Sequence, residues 1–261
     1  MKKWLPGLFL TLCMTGLVAH QAEALPGDLL YHGGPVLVKA NAILIFWGST
    51  FQNPTSPDYA YAQALITFRN QIGTSEWSVL TQYYDVVGGV KQFIQRTNLG
   101  AGTPDWFDTS TPPAKVTDAD VQAEVNRYLA SHAFDASAIY EVFIPSTSYS
   151  DDGAGNTSCG GPNLQYCAYH SFYTRSSTLV FYSIQPYPSC SGCQFPGYSA
   201  TQNQEHLVCT ETRDAVTDPG LDAWFDNSGR EAAQKCGWTR PLFPPPPPCT
   251  PVWSNAQHGC V

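Results

Sequence analysis

Cysteine is the residue type whose spacing in this chain most directly suggests chemistry. Cys190 and Cys193 are separated by two residues, which is the spacing of a thiol–disulfide redox centre or of half a tetrahedral zinc site. A thioredoxin-type centre needs a strand before the pair and a helix after it, and a zinc site needs a second such pair. The sequence around the pair has neither feature, so it favours a structural disulfide.

The remaining cysteines extend this pattern through the second half of the chain. There are 9 cysteines, and Cys13 lies in a predicted signal peptide, which leaves an even number that indicates a set of disulfides in an exported protein. Spacing alone leaves the connectivity open. Proximity along the chain favours four pairs, namely Cys159 with Cys167, Cys190 with Cys193, Cys249 with Cys260, and Cys209 with Cys236.

The elements that would position these residues alternate between strands and helices. Residues 40–47 form a nearly continuous apolar run, typical of a strand buried on both faces. Apolar residues at helical spacing predict helices over 58–72, 117–132 and 203–216. Further strands are predicted over 90–97, 139–145 and 179–184. This order indicates a single mixed α/β domain.

The N-terminus has the pattern of a secretory signal peptide. Lys2 and Lys3 precede an apolar run from Trp4 to Val18, and Ala22 and Ala24 are the small residues that a signal peptidase requires. The run is interrupted by proline and glycine and is shorter than the roughly 20 apolar residues that span a bilayer. We therefore expect cleavage after Ala24, an extracellular or periplasmic protein, and no membrane anchor after cleavage.

Composition and missing motifs narrow the function classes. The formal net charge is −8 and only 13% of the residues are charged, which argues against nucleic acid or anionic lipid as the main partner. The sequence has no Gly-x-Ser-x-Gly elbow, phosphate-binding loop or dinucleotide fingerprint. Serine hydrolase, kinase and dehydrogenase activities are therefore not expected.

Three groups of motifs follow one another along the chain. They are LYHGGPVL (30–37) with ILIFWG (43–48), then YCAYH (166–170) with YPSCSGC (187–193), and finally AVTDP (215–219) with AWFDN (223–227) and EAAQKCGW (231–238). Together these motifs resemble the EXORDIUM, or phosphate-induced protein, family of secreted plant proteins and their bacterial relatives. The resemblance covers most of the mature chain and implies a single domain of zincin-like layout.

The resemblance also implies a site on the helix that precedes Ala215. Bacterial relatives carry His-Glu-x-x-Glu there, which resembles the zinc-binding helix of zincin metallopeptidases, where ligands four residues apart share one helix face and the neighbouring Glu is the general base. In this chain Glu211 matches the base and Asp214 is a shortened version of the carboxylate ligand. The first ligand position is Thr210, whose neutral hydroxyl is a poor zinc ligand. The implied site is therefore degenerate.

Other residues could complete a metal site in a different way. His206 lies one turn before Thr210, but it is about 12 Å from Asp214 along the helix at 1.5 Å per residue, too far to share an ion bound at about 2 Å per ligand. Glu231 and His170 are candidates for additional ligands. Each candidate also has a structural alternative: Glu231 could occupy the first turn of a helix, and His170 could be a packed histidine.

Two tryptophans are candidates for ligand contacts. Trp224 and Trp238 could form an aromatic platform for a sugar or peptide, although packing in the core is the favoured account of such residues. Glu211 likewise has the alternative of a solvated helix residue.

The sequence therefore predicts a signal peptide over 1–24, an EXORDIUM-like globular domain over 25–243, and a proline-rich spacer with a disulfide-closed tail over 244–261. The expected function is non-catalytic binding of a peptide, glycan or cell-wall component outside the cell, with no cofactor favoured. The alternative is a secreted zinc metallopeptidase that uses Glu211 as general base and an altered ligand set.

Overall fold

The computed structural model describes residues 27–100, 104–237 and 249–261. Three predicted features lie outside the described residues: the signal peptide over 1–24, Trp238, and the spacer over 244–248 together with the domain boundary at 243. They stay predictions.

A five-stranded mixed sheet forms the centre of the domain. Its strands, in chain order, are β1 Asn41–Trp47, β2 Trp106–Asp108, β3 Ala138–Ile144, β4 Tyr169–Arg175 and β5 Thr178–Pro186. Their order in the sheet is β2-β1-β3-β5-β4. The first four strands in this order run parallel to one another. The edge strand β4 is antiparallel to its neighbour β5.

Three helices cover the two faces of this sheet. They are α1 Pro57–Arg69, α2 Asp118–Leu129 and α3 Ala200–Thr217. Thr117 caps α2 in a capping box with Asp120, and Ser199 caps α3 in the same way with Gln202. In the part of the chain that the structure describes, no helix is long and apolar enough to cross a membrane.

The sheet divides the hydrophobic core into two layers. Ala42, Leu44 and Phe46 of β1 face a cluster that includes α1 and α3, and the alternate residues Ile43 and Ile45 face a second cluster under α2. Successive side chains of a strand point to opposite faces, so a strand with helices on both sides must be apolar throughout. The structure thus confirms a mixed α/β domain with a sheet packed by helices, and β1 is an interior strand.

Short elements surround this framework. Within the ranges that the structure describes, four two-stranded sheets pair Leu30–Tyr31 with Trp224–Phe225, Tyr84–Val87 with Val90–Phe93, Lys115–Thr117 with Tyr149–Asp151, and Trp253–Ser254 with Gly259–Cys260. The same ranges contain four 3₁₀ helices, at Ser49–Gln52, Ser75–Gln82, Ser191–Cys193 and Gln234–Cys236.

Four disulfides brace the C-terminal half, as expected, but all four predicted pairings were wrong. The bonds join Cys159 to Cys190, Cys167 to Cys193, Cys209 to Cys249, and Cys236 to Cys260. None of the bonds joins the cysteines that are nearest along the chain. The bonded partners are 24 to 40 residues apart. Closeness along the chain was therefore the wrong criterion, because the bonds connect elements that meet only in the folded domain.

The C-terminal segment 249–261 is consequently tied to the domain and is not closed on itself. Its two cysteines bond to α3 and to the 3₁₀ turn Gln234–Cys236. Val252 and Trp253 are buried in the main core cluster, and the Tyr83 hydroxyl donates a hydrogen bond to the Trp253 carbonyl oxygen at 2.6 Å. Arg213 of α3, next to Asp214, donates a hydrogen bond to the Thr250 carbonyl oxygen of this segment at 2.7 Å.

Candidate functional site

Three elements bring the predicted acidic residues and one histidine together. His170 is the second residue of the edge strand β4, Glu211 and Asp214 lie on α3, and Glu231 precedes the turn that contains Cys236. The helix α3 packs against β4 and β5, and the 236–260 disulfide holds the turn against the C-terminal segment. The sequence separates these residues widely, but the fold makes them neighbours.

His170 is enclosed between two glutamates. Its Nδ1 lies 3.4 Å from Glu211 Oε2, and its Nε2 lies 3.2 Å from Glu231 Oε1 and 3.3 Å from the Asp218 carbonyl oxygen. All these partners are acceptors, so the imidazolium form, which donates from both nitrogens, satisfies them best. Burial alone would lower the pKa of His170, but the charges of Glu231 and Glu211 and their hydrogen bonds outweigh it and raise the pKa well above its ordinary value.

Asp214 serves as a link between α3 and the following turn. One carboxyl oxygen accepts a hydrogen bond from the Ala233 backbone N–H at 2.6 Å, and the other accepts one from the Gln234 N–H at 3.0 Å. Burial raises the pKa of Asp214 well above its ordinary value, and the charges of Glu231 and Glu211 add to this effect. Both oxygens of this predicted metal ligand are thus engaged with the backbone.

These contacts do not fit a zinc ion. A zinc-bound histidine is neutral and presents one nitrogen to the metal, whereas both nitrogens of His170 face carboxylate or carbonyl oxygens. Within the described ranges, the only three histidine, cysteine or carboxylate donors close enough to share an ion are Cys159, Cys190 and Cys193. All three cysteines are in disulfides. The predicted ligands Asp214, Glu231 and His206 do not form such a group.

Two clefts open beside the cluster. The larger, which we call the Glu211 cleft, has a volume of about 420 Å³, and the second, next to His170, has a volume of about 350 Å³. Tyr166 lines both clefts. The Glu211 cleft is also lined by Gln165, Cys167, Gly192, Thr210 and Gln234, and the second cleft by Asp118, Asp152, Tyr169 and Ser171. No lysine or arginine is among the described residues lining either cleft. The Glu211 cleft presents a carboxylate, two amide side chains and a tyrosine, and the second cleft presents two carboxylates, two tyrosines and His170.

The other predicted site residues lie elsewhere or have structural roles. His206 borders the Glu211 cleft but packs edge-on against Phe195 at 5.0 Å, and burial, with the nearby charge of Arg213, lowers its pKa to about 4. It is therefore a neutral packed histidine. Trp224 is buried among Tyr31, Tyr83 and Tyr84 and donates its indole N–H to the Tyr84 carbonyl oxygen. The structure places it in the core and not in either cleft.

Sequence reasoning missed a group of tyrosines held by one carboxylate. Asp118, the first residue of α2, accepts hydrogen bonds from the Tyr169 hydroxyl at 2.8 Å and the Tyr182 hydroxyl at 2.5 Å. Tyr169 also packs edge-on against Tyr166 at 5.1 Å. An acidic residue directly after a helix cap is ordinarily explained by the helix dipole, so the sequence carried no signal for this role.

It also missed a carboxyl group in the core. Glu141 is fully buried on the interior strand β3, and its Oε1 lies 2.6 Å from Thr212 Oγ1 on α3. The same hydroxyl lies 2.6 Å from the Val208 carbonyl oxygen. Because one hydroxyl proton cannot serve two acceptors, both contacts are satisfied when Glu141 is protonated. Burial accordingly raises the pKa of Glu141 to about 8. A single Glu inside an apolar strand was the available signal.

Comparisons of this chain with protein-family models, with curated proteins and with solved structures found no match.

Proposed function

We propose that this protein is a secreted, EXORDIUM-like extracellular protein that binds a neutral or cationic peptide, glycan or cell-wall component without zinc catalysis. The zincin-like layout implied by the sequence motifs is supported by two observations. The sheet is parallel apart from one antiparallel edge strand, and the site helix α3 follows the last strand and lies beneath that edge. The four disulfides support an extracellular location.

One observation carries the non-catalytic part of the proposal. The residues that would bind a metal in a zincin-like site instead contact one another or the backbone. His170 lies between Glu211 and Glu231, and Asp214 accepts hydrogen bonds from two backbone amides. This arrangement stabilises the floor of the cleft. It leaves Glu211, which is about one-seventh exposed at 14%, as the acidic group that a ligand would contact.

The lining of the clefts supports the choice of ligand class. Amide and tyrosine side chains offer hydrogen bonds and ring faces that suit sugars and peptides. Asp118, Asp152 and Glu211 contribute three carboxylates, and His170 is the one cationic group among the described lining residues, so the lining is acidic overall. An anionic ligand would meet like charge, so neutral or cationic ligands are favoured.

Calorimetric titration with matched ligands tests this proposal. The probes are neutral, amino-sugar and uronic-acid oligosaccharides of one length, and a basic and an acidic peptide of one length. We expect the best cationic or neutral probe to bind at least about tenfold more tightly than its anionic counterpart, a difference of about 1.4 kcal/mol. Preference for the anionic probes, or no binding by any probe, would refute it.

A matched pair of variants localises the binding. Gln165→Trp places a bulky ring in the Glu211 cleft, and Gln63→Trp does the same in a separate cleft of about 370 Å³ formed with α1. Both glutamines are exposed. Binding should be lost in Gln165→Trp and kept in Gln63→Trp, and the opposite result would place the ligand in the cleft formed with α1.

A further inference from the structure

Two disulfides lie side by side next to the Glu211 cleft, which Cys167 of one of them lines. Cys159 is bonded to Cys190, and Cys167 is bonded to Cys193. The sulfur atoms of Cys159, Cys190 and Cys193 all lie within 4.8 Å of one another. One sulfur of the second disulfide is therefore a neighbour of both sulfurs of the first.

The local backbone explains this proximity. Cys190 caps the 3₁₀ turn Ser191–Cys193, and the Cys193 N–H donates a hydrogen bond to the Cys190 carbonyl oxygen at 3.0 Å. This turn reverses the chain within three residues, and both cysteines direct their sulfur atoms towards the segment that contains Cys159 and Cys167.

Solvent access differs between the sulfur-bearing residues. Cys167 and Cys190 are half-buried, whereas Cys159 and Cys193 are 4% and 1% exposed. An external thiolate therefore reaches Cys167 more readily than Cys193. Attack on Cys167 would expel the thiolate of Cys193 into an enclosed space beside the 159–190 disulfide.

We propose that these four cysteines form a thiol–disulfide exchange centre that responds to an external dithiol. A thiolate of the dithiol attacks Cys167, and the second thiol of the dithiol then releases Cys167 as a free thiol, leaving the dithiol oxidised. The Cys193 thiolate attacks Cys190, forms the Cys190–Cys193 disulfide and expels the Cys159 thiolate. Two electrons and two protons pass from the dithiol to the protein, and the protons end on Cys159 and Cys167.

The exchange would change the wall of the Glu211 cleft. Residues 164–168 and Gly192 line this cleft, and the two disulfides are the covalent links between the segment 159–167 and the turn at 190–193. After exchange both links are gone, so the wall is released. The effect on ligand binding rests on the proposed function, whereas the exchange itself does not and is tested without any ligand.

Peptide mapping after partial reduction tests the exchange. The full protein is treated with about 0.1 mM dithiothreitol, quenched in acid, alkylated with N-ethylmaleimide and digested without further reduction. A neighbouring thiolate acts at an effective concentration on the order of millimolar, so the internal attack should exceed a second external attack by about tenfold. We expect Cys159 and Cys167 to be the labelled pair, with an intact Cys190–Cys193 disulfide peptide. Labelling of Cys167 together with Cys193, with no Cys190–Cys193 peptide, would overturn the proposal.

Two double variants provide matched controls. Removing the neighbour with Cys167→Ser and Cys193→Ser should slow the labelling of Cys159 by about tenfold, because the internal nucleophile is lost. Removing the other disulfide with Cys236→Ser and Cys260→Ser should leave that rate unchanged. Equal rates in the first variant and the wild type would contradict the exchange. If either variant does not fold, the ratio of labelled peptides in the wild type still decides.

Discussion

His170 has acceptors on both sides of its ring, and this single feature determines the chemistry that the site can perform. Glu211 and Glu231 hold its two nitrogens at 3.4 and 3.2 Å, so the stable form is the imidazolium. A cation in this position neutralises part of the acidic charge below the cleft. It also cannot act as a metal ligand without losing a proton.

Replacing one of the two glutamates should therefore lower the pKa of His170. In Glu211→Gln one carboxylate charge is lost, and we expect the pKa of His170 to fall towards its ordinary value, as followed by NMR titration of the ring protons. Glu205→Gln is the matched control, because Glu205 lies on the same helix beside a different cleft. An ordinary pKa near 6.5 for His170 in the wild type would contradict this account.

The sequence predicted the positions of residues that lie on one helix. It did not predict contacts between residues that are distant along the chain. Glu211 and Asp214 were identified as neighbours on α3. The ion pairs of His170 and the amide contacts of Asp214 involve residues 19 to 61 positions away, and no local pattern encodes such contacts. The role of Glu141 was not predicted, because the strand that contains it was identified only by the apolar residues around it.

The helix α3 is the element that connects the site to the rest of the domain. Its capping box at Ser199 fixes the N-terminal end, and the Cys209–Cys249 disulfide fixes its middle. Asp214 fixes the C-terminal part through the amides of Ala233 and Gln234. The helix was predictable from apolar spacing, although it begins three residues earlier than expected, because the cap at Ser199 precedes the first apolar position. The edge strand β4 was not predicted, since its residues do not alternate cleanly between buried and exposed.

Asp214→Asn should destabilise the fold measurably. The amide group of Asn would place an N–H donor against one of the two backbone N–H groups, leaving a buried donor unsatisfied at a cost of about 1–3 kcal/mol. Urea unfolding should show this loss, and Thr201→Ala, at a partly exposed position of the same helix, should change the free energy of unfolding by less than about 0.5 kcal/mol. An unchanged midpoint of urea unfolding in Asp214→Asn would show that the hydrogen bonds from Ala233 and Gln234 to Asp214 do not stabilise the position of α3.

On the scale of the whole molecule, several buried acidic groups favour the protonated form. Burial raises the pKa values of Glu141 and Glu124 to about 8, with the charge of Asp108 contributing at Glu124, and the His170 pKa is also raised. Each group holds a proton in the folded state that the unfolded chain releases at lower pH. The stability that they contribute is complete below the unfolded pKa and is lost as pH rises through the folded pKa.

The free energy of unfolding should therefore fall between pH 6.5 and 8. Each such group contributes a slope of up to roughly 1.4 kcal/mol per pH unit. His206, whose pKa is lowered to about 4, opposes this trend only below pH 6.5, where its unfolded form gains a proton. Urea unfolding across this range measures the slope, and Glu141→Gln, which removes one titrating group, should reduce it. Stability that rises or stays constant from pH 6.5 to 8 would contradict the assignment.

The architecture as a whole was accessible from the sequence, and the cross-links were not. The apolar run of β1 and the alternation of strands and helices identified a mixed α/β domain. A strand that is buried on both faces of a sheet is apolar at nearly every position, so it can be recognised in the sequence. Disulfide pairing depends on which loops meet after folding. The C-terminal segment 249–261 illustrates this, since its two cysteines bond to two different parts of the domain.

The metal content of the purified protein tests the central claim most directly, because the cluster around His170 is arranged as an internal set of ion pairs and not as a zinc site. Elemental analysis of protein purified without added metal should find well under one equivalent of zinc, and peptide substrates should show no hydrolysis that a chelator abolishes. One equivalent of zinc that chelation removes, together with peptidase activity that is lost in Glu211→Gln, would contradict the account and establish the metallopeptidase alternative.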